Sequence, residues 1–370
     1  MREFHFIREG QPGSELYTFV VSASTLLEIA RVERFNEDPN HKGVQRLLHY
    51  PQVVKIRDAM RQSHATFAEP ILGNLEGEWI VDKDTNTLMG NRDGYLSVDD
   101  GQQRIAALHL LSEEERSVWQ LKVTATLGIS YEQRVRMFLQ QTKRLKIDGQ
   151  LVLQLQDKTG LFPDNISERA YALGKRLAND PNSPLFGLIR LEERPPRKHP
   201  TEEDAKRLAP LLSSIPPAVM LREHTLGIIN VGSIFGELKK VVSSAHSVIL
   251  KQDAEVQQEV VFRIISAAKE IWPKEWSDPQ NYFLRRTEGV KSLILLPVVG
   301  QQFKKSLALW LKQGGLSRPQ ENRVKGLLSC AERYAWDFKR FRGPDAIFPS
   351  PAEIARQLDS LIFQKSKHKL

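Results

Sequence analysis

The chain has 370 residues, 41% of them hydrophobic, with 53 Lys and Arg against 45 Asp and Glu, a formal net charge of +8. That length and apolar content support one large domain or two modest ones, and the excess of cations favours a polyanionic partner, usually nucleic acid. The single cysteine, Cys330, excludes an intramolecular disulfide and a cysteine-based metal cluster and fits a reducing compartment.

Arg2, Glu3 and His5 interrupt the start where a signal peptide would need an apolar run. No later run reaches spanning length, so a cytoplasmic protein with no membrane partner is expected. Residues 1–13 read as a loose segment or an edge strand. Leu16 to Val21 is β-branched and aromatic and reads as a strand. Ser24 is placed to cap a helix from Thr25 to about Arg34, with Leu26, Leu27, Ile29 and Ala30 inward. Residues 36–43 form a loop. Gln45 and Arg46 follow it, either facing a pocket or opening an ordinary helix. Pro51 to about Ser63 reads as an amphipathic helix with Val53, Val54, Ile56 and Met60 on its apolar side.

From Glu69 the pattern turns to β. Residues 70–75, 79–81 and 95–98 read as short strands, joined by Asx- and Gly-rich turns at 82–86 and 91–94. Asp82 and Asp84 are turn residues rather than metal ligands, because nothing supplies the rest of a calcium loop.

The stretch from Tyr95 to Leu111 then reads as strand, tight polar turn and helix. Asp99 and Asp100 are placed to cap the helix, and Gly101 allows a tight turn or a close approach to a ligand. Gln102, Gln103 and Arg104 fall in the first turn, where free N–H groups and the helix dipole suit an anion. Arg104 adds a fork that can grip two phosphate oxygens. Two readings stand: a nucleotide or phosphate pocket, or a helix start with a surface Arg.

Residues 121–127 alternate as a strand, and Tyr131 to about Arg144 reads as a helix. Lys143, Arg144 and Lys146 cluster at its end, as DNA contacts or simply as cations at a helix C-terminus. A helix at 167–178 and a strand-like stretch at 185–191 precede the linker 192–200. Its prolines deny regular structure, and Arg197 and Lys198 can lie along a phosphate backbone. Thr201 caps a helix with an acidic first turn, and long helices follow at 226–243 and 253–271. Residues 272–286, ending in Arg285 and Arg286, interleave aromatics with cations, as a packed loop or a stacking surface for bases. The stretch 333–342 repeats that mixture with Arg333, Lys339, Arg340 and Arg342, the favoured candidates for DNA backbone contact. Ser350 and Pro351 open a last helix that ends in a basic tail.

The motif Asp100-Gly101-Gln102-Gln103-Arg104, preceded by Gly43 to Leu48, Val53 to Met60 and Phe67 to Leu72, resembles the signature of the DGQHR/DGQQR proteins. Within that group the first half of the chain is most similar to DndB, the regulatory member of DNA phosphorothioation systems. The resemblance implies an α+β fold: a ParB/sulfiredoxin-like core with a small mixed sheet at 14–190, then a mainly helical region at 201–370. It implies a transcriptional repressor that binds double-stranded promoter DNA of a phosphorothioation gene cluster. Other proteins of the sulfur-modification system, and a second copy of the chain, are the further partners it implies.

The alternative it carries is a nucleotide hydrolase using ATP with Mg2+. There Gln45, Arg46, Gly101 and Arg104 would hold phosphates, Asp100 would orient a metal or water, and Gln102 and Gln103 would position the attacking water. Gln103 stands where many relatives carry His, and a neutral amide cannot serve as acid or base.

Overall fold

The computed structural model describes residues 2–11, 14–33, 35, 43–45, 48–62, 67–142, 149–191, 200–211, 229–247, 249–250, 252–279, 282, 284, 286–312, 324–337 and 348–367. The fold is α+β, with one mixed eight-stranded sheet. Two compact units are present: Met1–Leu155 with Glu193–Glu223, and Gln156–Glu192 with His224–Leu370. The boundary expected at 190–201 is thus redrawn: the chain leaves the first unit near residue 155 and returns to it for 193–223. No helix among the described residues is long and apolar enough to cross a membrane.

The sheet unit opens with β1 (Arg2–Gln11), β2 (Ser14–Ser22), α1 (Ala23–Ile29) and β3 (Ala30–Arg31), followed by α2 (Tyr50–Met60). Then come β4 (Ile71–Glu76), β5 (Trp79–Asp82), β6 (Thr87–Gly90), β7 (Tyr95–Asp100), α3 (Gln102–His109), α4 (Glu113–Ser117), β8 (Gln120–Leu127) and α5 (Tyr131–Thr142). The strand order is β3-β7-β4-β8-β2-β1-β6-β5. β4 runs parallel to β8 and β3 parallel to β7; the other neighbours are antiparallel.

Strand alternation separates the two faces. Phe4, Phe6, Tyr17, Phe19, Ile71, Leu75, Leu96, Val98 and Val123 are buried in one cluster with Leu26 and Ile29 of α1, Val53 of α2 and Ile105 to Leu108 of α3. β1 is neither loose nor an edge, because it pairs with both β2 and β6. Its charged residues hide the two inward phenylalanines from a reading of polarity alone. Helix α1 starts earlier than expected, with Ser22 rather than Ser24 as its cap. It also ends earlier, because Ala30 and Arg31 pair with Leu96 and Ser97. Tertiary pairing there overrides helical periodicity.

The helical unit contains the end of α6 (Gly149–Thr159), α7 (Asn165–Asn179) and the parallel pair β9 (Ile189–Arg190) and β10 (Ile229–Asn230). α8 (Glu202–Leu208) belongs to the sheet unit. The helical unit continues with α9 (Val231–Ser243), α10 (Ala254–Ile271), α11 (Pro273–Ser277), α12 (Thr287–Val299), α13 (Gln301–Lys312) and α14 (Pro351–Lys367). Residues 289–298 of α12 are buried apart from Lys291, and α9, α10, α13 and α14 pack around this helix. A helix apolar on nearly every side is a core element. The side chains of Asp164, Thr201 and Asp253 cap α7, α8 and α10.

Candidate functional site

β7 ends on Asp99 and Asp100, and Gly101 turns the chain into α3 with φ 104° and ψ 5°. A Cβ at Gly101 would stand 2.4 Å from Cδ1 of Ile71, so glycine alone suits both the angle and the space. Neither aspartate caps α3, against expectation: the cap position is Gly101, with no side-chain bond. Both aspartates belong to the strand, whose alternate side chains leave on opposite faces. Asp99 turns to Arg134. Asp100 stays 39% exposed, 3.7 Å from Nη2 of Arg104.

The remaining motif residues act as clamps. Arg104 donates through Nη1 to the carbonyl of Glu69 and through Nη2 to that of Pro70 (2.9 Å), holding the chain at the start of β4. Gln45 donates to the carbonyls of Val98 (3.2 Å) and Asp99, tying its segment to the end of β7. The Gln103 amide, oriented to pair both its atoms, donates to the His49 carbonyl (3.2 Å) and accepts from the His49 N–H (3.0 Å). That fixes the residue from which α2 starts. Gln102, Gln103 and Arg104 are 3%, 8% and 8% exposed.

This is the reverse of a surface Arg at a helix start, and it is not a phosphate cradle. Both terminal nitrogens of Arg104 are engaged by backbone, and the first turn of α3 is covered. ATP with Mg2+ does not fit Gln45, Gly101, Gln102, Gln103 and Arg104 as they stand. Of the expected set, only Asp100 reaches solvent appreciably; Arg46 lies outside the described residues.

The other face of the sheet carries a polar site. Tyr95, Ser97 and Asp99 alternate along β7, Asn74 and Glu76 along β4, Thr124 and Thr126 along β8, and Thr18 on β2 joins them. Arg134 of α5, only 2% exposed, enters this face. Its guanidinium donates to Asp99 Oδ1 from Nη2 (2.6 Å) and Nε (3.1 Å), and from Nη2 to Ser97 Oγ (2.7 Å). Nη1 stands 3.7 Å from both Glu33 and Glu76.

The network extends outward: Ser97 Oγ donates to Glu33 (2.6 Å), Asn74 Nδ2 to Glu76 (2.6 Å) and Thr126 Oγ1 to Asn74 Oδ1 (2.8 Å). One guanidinium thus serves three carboxylates from three segments and anchors α5 across the sheet. Burial opposes its charge, and Asp99, Glu33 and Glu76 more than restore it, so its pKa is raised. Sequence reading missed this cluster. The available signal was the period-two polar pattern at 95, 97, 99 and at 74, 76, which marks a strand face in need of polar partners. Among the described residues no group of three or more metal-ligating side chains is arranged to hold a metal ion.

Asp99 and His109 titrate in one pH window with opposite consequences. Burial pushes the Asp99 carboxyl up to about 6, against the pull of Arg134. Burial, with Arg116 nearby, pushes His109 down to about 4. Asp99 binds its proton more tightly when folded, so its contribution to stability is greatest below its unfolded value of 3.8 and falls as pH rises through about 6. His109 binds its proton less tightly when folded, so its contribution is present above 6.5 and is lost as pH falls toward 4. In Asp99→Asn the opposing slope, on the order of 3 kcal/mol across the window, disappears. Thermal melts between pH 4 and 7 should then show stability falling on acidification more steeply than in the wild type. Parallel curves for the two proteins would refute this assignment.

Most expected DNA contacts fall elsewhere. Lys143, Arg144, Lys146, Arg197, Lys198, Arg285, Lys339, Arg340 and Arg342 lie outside the described residues. Arg333 is exposed, while Arg286 donates through Nε to the carbonyl of Pro279 (2.6 Å). Four of the aromatics expected to meet bases are inside: Trp272, Trp276, Tyr334 and Trp336 are 2%, 5%, 5% and 1% exposed, whereas Tyr282 is half-buried and Phe283, Phe338 and Phe341 lie outside the described residues. Trp336 packs edge-on against Trp272 (5.4 Å) and Tyr334 (4.8 Å). Alternation along 333–336 sends the rings inward and leaves Arg333 outside. Comparison with protein-family models, curated proteins and solved structures finds no match for this chain.

Proposed function

We propose that this protein is a DNA-binding regulator of the DndB type, repressing a phosphorothioation gene cluster through duplex promoter DNA, with a ParB/sulfiredoxin-like core in the sheet unit. The observation that carries the DNA part is how charge divides between the units. The sheet unit has 25 Lys and Arg against 26 Asp and Glu, and the helical unit has 28 against 19, a net +9. A unit of that sign attracts a polyanion by releasing its counterions. The DndB part rests on the motif resemblance. The clamps made by Gln45, Gln103 and Arg104 support regulation over hydrolysis, since backbone carbonyls already engage both terminal nitrogens of Arg104.

The test pairs two assays on the purified full chain: binding of duplex DNA from the gene cluster's own upstream region, and ATP hydrolysis with Mg2+. The expected result is site-dependent binding that weakens with salt, and no hydrolysis above background in wild type or Asp100→Ala. Hydrolysis by wild type that Asp100→Ala abolishes would replace the regulator with an enzyme. Absence of DNA binding at low salt would remove the DNA reading altogether.

A further inference from the structure

Within the helical unit the positive charge is concentrated further. Residues 301–370 hold 14 Lys and Arg against 6 Asp and Glu, a net +8 equal to that of the whole chain. Helix α14 gathers the described part of this region. Its Asp359 accepts backbone N–H bonds from Gln302 (3.1 Å) and Phe303 (2.9 Å), which fixes the start of α13 beside it and carries Lys304 and Lys305 into that turn. Its Gln357, next to Arg356, accepts from the hydroxyl of Tyr334 (3.1 Å), which brings Arg333 to the same helix. Its Lys365 donates to the carbonyl of Ser329 (3.5 Å).

Many cations of the sheet unit keep acidic company, although its exposed Lys55, Arg92 and Lys122 form no ion pair among the described residues. There Arg8 and Lys83 share Glu15, Arg57 meets Asp58, Arg61 meets Glu115, and Lys206 meets Glu202. Lys304, Lys305 and Arg333 form no ion pair within 4 Å among the described residues, and Arg356 faces Glu353 only at longer range. A cation already beside a carboxylate gives little field at a distance. An unpaired one releases a full counterion when it meets a phosphate.

We infer that the phosphate-contacting surface for duplex DNA is the α13–α14 corner of the helical unit, centred on Lys304, Lys305, Arg333 and Arg356, and that the motif-bearing sheet unit is not a principal DNA contact. This rests on the DNA-binding reading above and assigns it a place. The contacts are to backbone phosphate, because the aromatic rings beside Arg333 are turned into the core and unavailable to bases. Affinity from this corner is therefore set by charge, and site preference needs a separate element.

The test compares two full-length variants that change net charge equally. One is Lys304→Glu/Lys305→Glu/Arg333→Glu. The other is Lys143→Glu/Arg144→Glu/Lys146→Glu, from the basic cluster of the sheet unit. Binding to a 30-base-pair duplex is titrated over a range of NaCl concentrations, and circular dichroism confirms that each variant is folded. If the first triple fails to fold, Lys304→Gln/Lys305→Gln/Arg333→Gln replaces it, since these side chains lie on the outside of the unit.

The expected result is a loss of more than tenfold in affinity for the first variant. Its plot of log affinity against log salt should be shallower by about 2.7, three contacts at about 0.9 each. The second variant should stay within about threefold of wild type. Equal losses in both would show a response to bulk charge and overturn the assignment. A larger loss in the second would move the contact to the sheet unit. Wild type that fails to bind any duplex would instead fail the DNA reading itself, before either variant is compared.

Discussion

Replacing Arg134 by Ala is expected to lower the unfolding free energy of the sheet unit by about 3–5 kcal/mol, the usual consequence of removing one partner of a buried ion pair. The physical reason lies in what stays behind. Asp99, Glu33 and Glu76 would face one another without the guanidinium that now meets all three. Ser97 Oγ would lose a donor and keep only its own bond to Glu33. Arg134→Lys should recover little, because a point charge cannot replace the two-nitrogen grip on Asp99 Oδ1 and the bond to Ser97 together. Amide hydrogen exchange in β4 and β7 under native conditions reads this locally, which matters in a chain of two units whose global transitions need not coincide. Protection factors in those strands unchanged by Arg134→Ala would mean that the cluster contributes nothing to the sheet. Adding Asp99→Asn to Arg134→Ala should restore part of the loss, since it removes the most deeply placed of the three carboxylates.

Gly101→Ala should destabilise the same unit by about 2–5 kcal/mol. About 1–2 kcal/mol comes from holding a residue with a Cβ in the left-handed region, and about 1–3 from overpacking. The two parts can be separated. The atom that a new Cβ would strike is Cδ1 of Ile71, at 2.4 Å, while Cγ2 of the same residue lies at 3.4 Å. Ile71→Val deletes Cδ1 and by itself costs about 0.5–1.5 kcal/mol. In the double variant most of the overpacking should vanish, while the 3.2 Å approach to Arg104 Nη2 and the backbone part remain, so the two substitutions together should cost less than their sum. Strict additivity in urea unfolding would exclude the Ile71 contact as the source. The motif would also be read differently by function: a glycine kept for phosphate approach would, when replaced, lose ligand affinity at unchanged stability.

The sequence by itself determined the elements whose causes are local. The strand, turn and helix at 95–109, the helix starts at Thr201 and Asp253, and the β character of residues 70–98 follow from side chains within a few positions of one another. That one unit is near neutral and the other strongly basic emerges only once the tertiary structure returns residues 193–223 to the first unit. The tertiary structure decided what the polar residues of those elements are for. Whether Arg104 grips a phosphate or a carbonyl depends on Glu69 and Pro70, some 35 positions away, and no spacing rule reaches that far. Arg134 looked like any cation on an amphipathic helix until β7, β4 and Glu33 were brought around it. The polar-looking β1 became an interior strand because β2 and β6 lie on either side of it. The aromatic and basic stretch at 333–336 divided into core and surface only once Trp272 was seen beside it. In each case propensity and capping act within a few residues and can be read along the chain, whereas burial, charge pairing and strand order arise between segments that are distant in sequence and meet only in the fold.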